Sequence, residues 1–183
     1  MAAAASKPVM VIGVDDSECA IATLEWTLDQ FFSQTIRIHP FKLVVVHVKP
    51  SPDVFVGFSG SGSKIDLLPQ SSLLRIAGSV ETYQAFDGDL KRKAARTIKI
   101  AREICSSKSV CDVEFEVEEG DARYVLCEAA IKHRASVLVV GSRGHGGMKR
   151  AFLGSVSDYC VHQAPCTVMI VKINHSTKTK VLK

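Results

Sequence analysis

The stretch VMVIGVDDSE, residues 9–18, decides the fold of the chain. It begins with an apolar run rich in β-branched side chains, Val9 to Val14, which is typical of a strand covered on both faces. Asp15, Asp16 and Ser17 end this run, and residues of these types cap the N-termini of helices. Apolar residues then recur at the spacing of one helical face. The stretch therefore predicts a buried strand followed directly by a helix.

The alternation of strands and helices continues along the chain. Apolar runs predict further strands at 41–48 and 137–141, and PCTVMIVK, residues 165–172, predicts a last one. CDVEFEVEEG, residues 111–120, alternates apolar residues with glutamates, which suits an edge strand. Strands that alternate with helices are joined by right-handed crossovers between parallel strands. We therefore predict an α/β fold, a three-layer open sheet of five parallel strands with helices on both faces.

The length of 183 residues fits one domain with a single hydrophobic core. We predict this domain over residues 9–173, after a short extension at 1–8 and before a polar tail at 174–183. Periodicity is poor from about 50 to 88, which we interpret as an insertion after the second strand. Loops of this length are often functional lids, but a tolerated surface insertion fits equally well.

Composition argues against several classes of protein. Hydrophobic residues make up 46% of the chain and charged residues 23%, as in ordinary globular proteins. The net charge of +4 is mild, and the cations of the helix near 91–102 have no aromatic residues between them, so we predict no nucleic-acid partner. No apolar stretch reaches the roughly 18 residues of a membrane span, and no signal peptide is recognisable. Six cysteines without a C-x-x-C pair favour a reduced, cytoplasmic protein.

A glycine-rich loop follows the fourth predicted strand, in GSRGHGGMKRAFLGS, residues 141–155. Glycine lets a backbone approach a ligand closely, so that N–H groups can converge on phosphate oxygens. Gly154 and Ser155 then open a helix, and the N-terminus of a helix favours an anion. Arg143, Lys149 and Arg150 add positive charge nearby. The loop therefore predicts a phosphate-binding site.

Two common phosphate-binding patterns do not fit this loop. A Walker loop requires Lys and Ser or Thr after its last glycine, where this chain has Gly147 and Met148. A dinucleotide fingerprint should follow the first strand, but that strand contains Gly13 alone and leads into an acidic turn. Neither a P-loop nor an ordinary NAD site is predicted.

The loop does match the pattern G-x2-G-x9-G-[S/T] over Gly141, Gly144, Gly154 and Ser155. In this pattern, in the VDDSE turn after the first strand and in the His47-Val48 pair, the chain resembles the universal stress protein family. The resemblance extends to VVGSRG and to GSVSDYC at the last helix. It implies a Rossmann-like fold of the adenine nucleotide alpha-hydrolase-like type.

The resemblance further implies an ATP site, with ADP or AMP as alternatives and with Mg²⁺ carried by the nucleotide. Asp15 would accept from the ribose hydroxyls, the backbone of Val48 would face the adenine, and Val14 and Val140 would pack on the nucleoside. The phosphates would be lined by Gly141, Arg143, Gly144, Gly154, Ser155 and Val156. The last strand would pair two subunits into a homodimer. For Asp15, a simple helix N-cap remains the alternative role.

Three classes of function remain open at this point: a nucleotide-dependent regulator of stress responses, a slow ATP-hydrolysing enzyme and an interaction module without nucleotide. An enzyme would need a group that orients water at the γ-phosphate. His145 is the one histidine near the loop, which at most favours slow hydrolysis. The remaining histidines lack metal-ligand spacing, so no metal site is predicted, and His47 is interpreted as a hydrogen-bonded interior histidine.

Overall fold

The computed structural model describes residues 7–32, 39–51, 80–143 and 153–172. Strands and helices alternate along these ranges, as the apolar runs predict. The elements are β1 (Val9–Val14), α1 (Glu18–Phe31), β2 (Lys42–Lys49), α2 (Val80–Ser107), β3 (Val113–Glu119), α3 (Ala122–Lys132), β4 (Val137–Gly141), α4 (Ser155–Gln163) and β5 (Thr167–Val171).

The five strands form one sheet in the order β3-β2-β1-β4-β5, and every neighbouring pair is parallel. The glutamate-rich strand β3 lies at one edge, as its alternating pattern predicts, and β5 lies at the other. β2 and β3 are added on one side of β1, whereas β4 and β5 are added on the other. The strand order therefore reverses between β1 and β4, and ligands bind beyond the carboxyl ends of the strands at such a point.

Successive residues of β1 face opposite layers of helices. Ile12 packs in one cluster with Leu24 and Leu28 of α1, and all three are fully buried. Val11 packs on the other face with Leu126 of α3. Each fully buried leucine or isoleucine side chain contributes about 1.5–3 kcal/mol. Since helices cover both faces of the sheet, the predicted three-layer fold is confirmed.

Side chains cap two of the helices that follow strands. The Ser17 hydroxyl accepts a hydrogen bond from the Ala20 amide at 3.1 Å and caps α1. The Asp121 carboxylate accepts from the Arg123 amide at 2.9 Å and caps α3. The N-cap of α1 is thus Ser17, so the alternative role of Asp15 as that cap is wrong.

Helix α2 begins earlier than the sequence pattern suggests. It starts at Val80, so residues 80–88 are helical and do not belong to an irregular insertion. The carboxylate of Asp87 lies 2.6 Å from Lys91 Nζ and 4.0 Å from Lys49 Nζ, and these ion pairs support the first turns of the helix. The rest of the predicted insertion, residues 52–79, lies outside the described residues, as do the extension 1–6 and the tail 174–183.

The six cysteines are free thiols. Cys105, Cys127 and Cys160 are buried, and burial raises the pKa of the Cys160 thiol to about 12. These three pack as small apolar core residues, whereas Cys111 is exposed. Among the described helices, none is long and apolar enough to cross a membrane.

Candidate functional site

A cleft of about 270 Å³ lies beyond the carboxyl ends of β1, β2 and β4, where the strand order reverses. The N-termini of α3 and α4 close its other side. Nine of the ten predicted binding residues line it, namely Val14, Asp15, Val48, Val140, Gly141, Arg143, Gly154, Ser155 and Val156. The tenth, Gly144, lies outside the described residues, together with His145, Lys149 and Arg150.

Six further residues, which the sequence motifs do not indicate, also line the cleft. They are Gly13, Ala20, Val46, Ala122, Leu126 and Ser157. Val46 lies two positions before Val48 on the same face of β2, so strand periodicity could have identified it. Ala122 and Leu126 are one helical turn apart on α3, and only the packing of α3 against the sheet brings them to the cleft.

Leu126 reaches the cleft because β1 has a glycine beneath it. A Cβ atom on Gly13 would lie 2.8 Å from Leu126 Cδ1, closer than real Cβ atoms come to a neighbour. The glycine in the middle of a buried apolar run therefore serves close packing of α3 on the strand. A glycine within a buried apolar strand is the sequence signal that could have indicated the close packing of α3 on β1.

The carboxylate of Asp15 stands at the end of β1. Its Oδ1 accepts a hydrogen bond of 2.9 Å from the backbone amide of Ser17, and Ser17 is the residue that caps α1. Within the described residues, no second hydrogen bond to this carboxylate is present. Asp15 lines the cleft and is half-buried, so Oδ2 remains available to accept a hydrogen bond from a ligand hydroxyl.

His47 connects the ends of the two strands that bear Asp15 and Val48. His47 is buried, with 7% of its surface exposed, and it pairs in register with Val14 of β1. Its Nδ1 atom lies 2.9 Å from the backbone oxygen of Val14. A carbonyl oxygen only accepts, so Nδ1 carries the hydrogen and donates it. The interpretation of His47 as a hydrogen-bonded interior histidine is confirmed.

Gly141 lies in close contact with α1. A Cβ atom at this position would lie 3.2 Å from both Cys19 Sγ and Thr23 Oγ1, and 3.3 Å from the Arg143 carbonyl oxygen. Its backbone is not in the left-handed region. The absence of a side chain at Gly141 therefore serves the close approach of α1 to β4, in addition to leaving the cleft open.

The N-terminus of α4 points into the cleft without a side-chain cap. Gly154 is its N-cap residue and has no side chain to accept from the first amides, whereas Asp121 caps α3 on the other side of the cleft. The first turn of a helix carries unsatisfied N–H groups and the positive end of the helix dipole. Ser155 and Val156 provide this turn at the cleft, which suits an anionic group.

A family model for the universal stress protein family matches residues 8–172 of the chain. The chain belongs to the universal stress protein family. Among individual relatives, a universal stress protein A-like protein of Arabidopsis thaliana is 29% identical over 150 residues, covering 82% of this chain and 76% of that protein. Universal stress protein PHOS34 of the same plant is 30% identical over 167 residues, which cover 88% of this chain and 60% of that longer protein.

Solved universal stress proteins share the fold. UspA from Lactobacillus plantarum superposes with a TM-score of 0.63 at 19% identity, covering 90% of this chain and 97% of that one. An Arabidopsis thaliana family member with AMP bound gives 0.58 at 21% identity over 95% and 97% of the two chains. A universal stress protein in complex with cAMP gives 0.55 at 19%, with 90% and 96% covered. These likenesses confirm the Rossmann-like α/β fold.

Away from the cleft, the described part of this universal stress protein contains one cluster of groups that metals favour. Donor atoms of Glu114, Glu116 and His133 lie within 4.8 Å of one another. Lysines already neutralise the two carboxylates, because Lys42 Nζ is 2.8 Å from Glu114 and Lys132 Nζ is 2.9 Å from Glu116. Burial raises the pKa of Glu116, but hydrogen bonds from Lys132 and His133 outweigh it and lower that pKa overall. The cluster is an ion-pair network between β3 and its neighbours.

Proposed function

We propose that this universal stress protein binds ATP, with its Mg²⁺, in the cleft and acts as a nucleotide-dependent regulator in stress responses. One observation carries the proposal: a single cleft combines three features. These are apolar walls, the Asp15 carboxylate with Oδ2 available to a ligand, and the N-terminus of α4 without a side-chain cap. A nucleotide offers the matching parts, which are an apolar base, ribose hydroxyls and an anionic phosphate chain. Small-molecule sites are mostly apolar clefts with a few placed polar groups.

Each part of the nucleotide has its proposed partner. The backbone of Val48 faces the adenine, and Val14 and Val140 pack on the nucleoside. Asp15 accepts from the ribose hydroxyls through its Oδ2. The phosphates lie over the amides of the glycine-rich loop and of the α4 N-terminus, and the positive charge of Arg143 faces them. The residues proposed for the phosphates are Gly141, Arg143, Gly144, Gly154, Ser155 and Val156.

The solved family members bound to AMP and to cAMP support an adenine nucleotide as the ligand class. The complete G-x2-G-x9-G-S pattern from Gly141 to Ser155 supports ATP over a monophosphate, because this pattern resembles that of ATP-binding members. Among the described cleft residues Asp15 is the one carboxylate, and its Oδ1 is held by the Ser17 amide. We therefore propose binding and regulation, with hydrolysis at most slow.

We also propose that two chains pair through β5. This strand lies at the edge of the sheet, and its Val168, Met169 and Ile170 are half-buried. An apolar edge strand offers unpaired backbone groups to a second chain, and identical patches pair around a two-fold axis.

The direct test of the proposed ligand is its identification. The purified protein is denatured, and the released small molecules are separated and identified by mass spectrometry. We expect an adenine nucleotide, with ATP as the main species. Release of a different class of molecule, such as a flavin or a nicotinamide dinucleotide, would contradict the proposal.

A further inference from the structure

The hydrogen bond between His47 and Val14 joins the two strands that form the nucleoside side of the cleft. His47 lies between Val46 and Val48, which both line the cleft, while the His47 side chain itself does not. Its Nδ1 donates to the Val14 carbonyl oxygen at 2.9 Å, and both residues are buried. His47 thus acts on the cleft without touching it.

The acceptor of this bond belongs to the peptide unit that leads into Asp15. The Val14 carbonyl and the Asp15 amide share one rigid peptide plane. A hydrogen bond to that carbonyl therefore orients the plane from which Asp15 extends. On the other side of Asp15, the Ser17 amide holds Oδ1 at 2.9 Å. Asp15 is consequently fixed both through its backbone and through its side chain.

We infer that His47 is a positioning residue for ribose recognition, acting through Val14 and Asp15. The inference rests on the proposed function, since it assumes that Asp15 Oδ2 accepts from the ribose hydroxyls. His47 orients the carboxylate, and the phosphate side of the cleft depends on β4 and α4 instead. Loss of the His47 hydrogen bond should therefore weaken recognition of the ribose hydroxyls and leave phosphate binding largely intact.

Selectivity for ribose hydroxyls separates this role from a general structural one. Dissociation constants of ATP and of 2′,3′-dideoxy-ATP are measured by titration calorimetry for the wild type, His47→Leu, His47→Asn and Asp15→Ala. One hydrogen bond to a charged group corresponds to roughly a tenfold preference of the wild type for ATP. His47→Leu should bring this ratio close to one, while the affinity for dideoxy-ATP changes little. Asp15→Ala should also bring the ratio close to one. The double variant Asp15→Ala/His47→Leu should show the same ratio as Asp15→Ala alone.

His47→Asn is the matched control. An asparagine amide nitrogen occupies nearly the position of a histidine Nδ1 and carries a hydrogen, so this variant should keep most of the preference for ATP. If His47→Leu retains the wild-type ratio, or weakens both nucleotides equally, the inference is wrong. If the wild type binds neither nucleotide, the proposed function itself fails, and the inference fails with it.

A second measurement does not depend on the folding of a variant. Nitrogen chemical shifts of ¹⁵N-labelled histidine, recorded at about pH 8 where an ordinary histidine is neutral, report which ring nitrogen carries the hydrogen. We expect His47 in the Nδ1–H form. The opposite tautomer, with the hydrogen on Nε2 alone, would remove the donor to Val14 and overturn the inference.

Discussion

The Gly154 amide donates a hydrogen bond of 2.9 Å to the carbonyl oxygen of Ser142. This bond ties the N-cap residue of α4 to the residue that follows β4. A second bond involves the same glycine, because the Ser157 hydroxyl donates to the Gly154 carbonyl oxygen at 2.9 Å. The first turn of α4 is thereby fixed beside the cleft by the backbone of the domain.

A negative charge at the start of α4 should separate helix stability from ligand binding. Gly154 has φ −70°, which any residue adopts, and an added Cβ would meet nothing closer than 3.4 Å. In Gly154→Asp the carboxylate can cap α4, so the free energy of unfolding should stay unchanged or rise by up to about 1 kcal/mol. The same carboxylate competes with the phosphates for the amides, and the ATP dissociation constant should rise by about tenfold or more.

The control for this variant is Gly154→Asn, which caps the helix equally well without the charge. Urea unfolding and titration calorimetry measure the two quantities separately. We expect Asn to weaken ATP binding much less than Asp. If Gly154→Asp binds ATP as well as the wild type does, the phosphates do not lie at the N-terminus of α4.

An alanine at position 141 should destabilise the domain. Its Cβ would press on Cys19 Sγ and Thr23 Oγ1 at 3.2 Å, and Thr23 is fully buried. Overpacking of this kind costs about 1–3 kcal/mol. The urea midpoint of Gly141→Ala should therefore fall with an unchanged denaturant slope. Gly154→Ala, which adds the same atom in an uncrowded place, should lose less, and equal losses would show that packing against α1 does not require Gly141.

The ion-pair network around Glu116 should make stability depend on acidity. Although burial raises the pKa of Glu116, the hydrogen bonds from Lys132 and His133 lower it overall, so the folded state favours the ionised carboxylate. The resulting stabilisation is complete above the pKa of an unfolded glutamate, roughly 4.3, and is lost as the pH falls through the lower folded pKa. Urea unfolding between neutral and acid pH should show this loss in the wild type, and Glu116→Gln should reduce it. An identical pH profile in the variant would contradict this assignment.

The proposed pairing through β5 predicts a dimer in solution. Sedimentation velocity at increasing protein concentration, with and without ATP, measures the mass of the species. We expect a dimer at tens of micromolar, since an apolar edge strand gains hydrogen bonds and buried area by pairing. A protein that stays monomeric under both conditions would rule out this mode of assembly.

The alternation of strands and helices along the chain was predictable from apolar runs followed by polar caps, and most residues of the cleft were predictable from the family resemblance. Leu126 was not, since its place in the cleft depends on how α3 packs over Gly13 across the sheet. The start of α2 was missed for a local reason. Gly88 lies inside it, and a glycine in a helix costs about 1 kcal/mol relative to alanine, so it resembles a helix boundary. Asp87, the residue before Gly88, forms ion pairs with Lys91 and Lys49 within this part of the fold.

The central claim is that ATP binds the folded chain in this cleft, and a thermal unfolding titration of the wild type with ATP and magnesium tests it most directly. At about 100 times its dissociation constant, ATP should stabilise the native state by about 2.7 kcal/mol. For a chain of this length that corresponds to a rise of about 5–10 °C in the melting temperature. Asp15→Ala should keep part of this rise, and Gly154→Asp, with its dissociation constant about tenfold higher or more, should lose about half of the rise or more. No rise in the wild type at millimolar ATP would contradict the claim and favour an interaction module that binds no nucleotide.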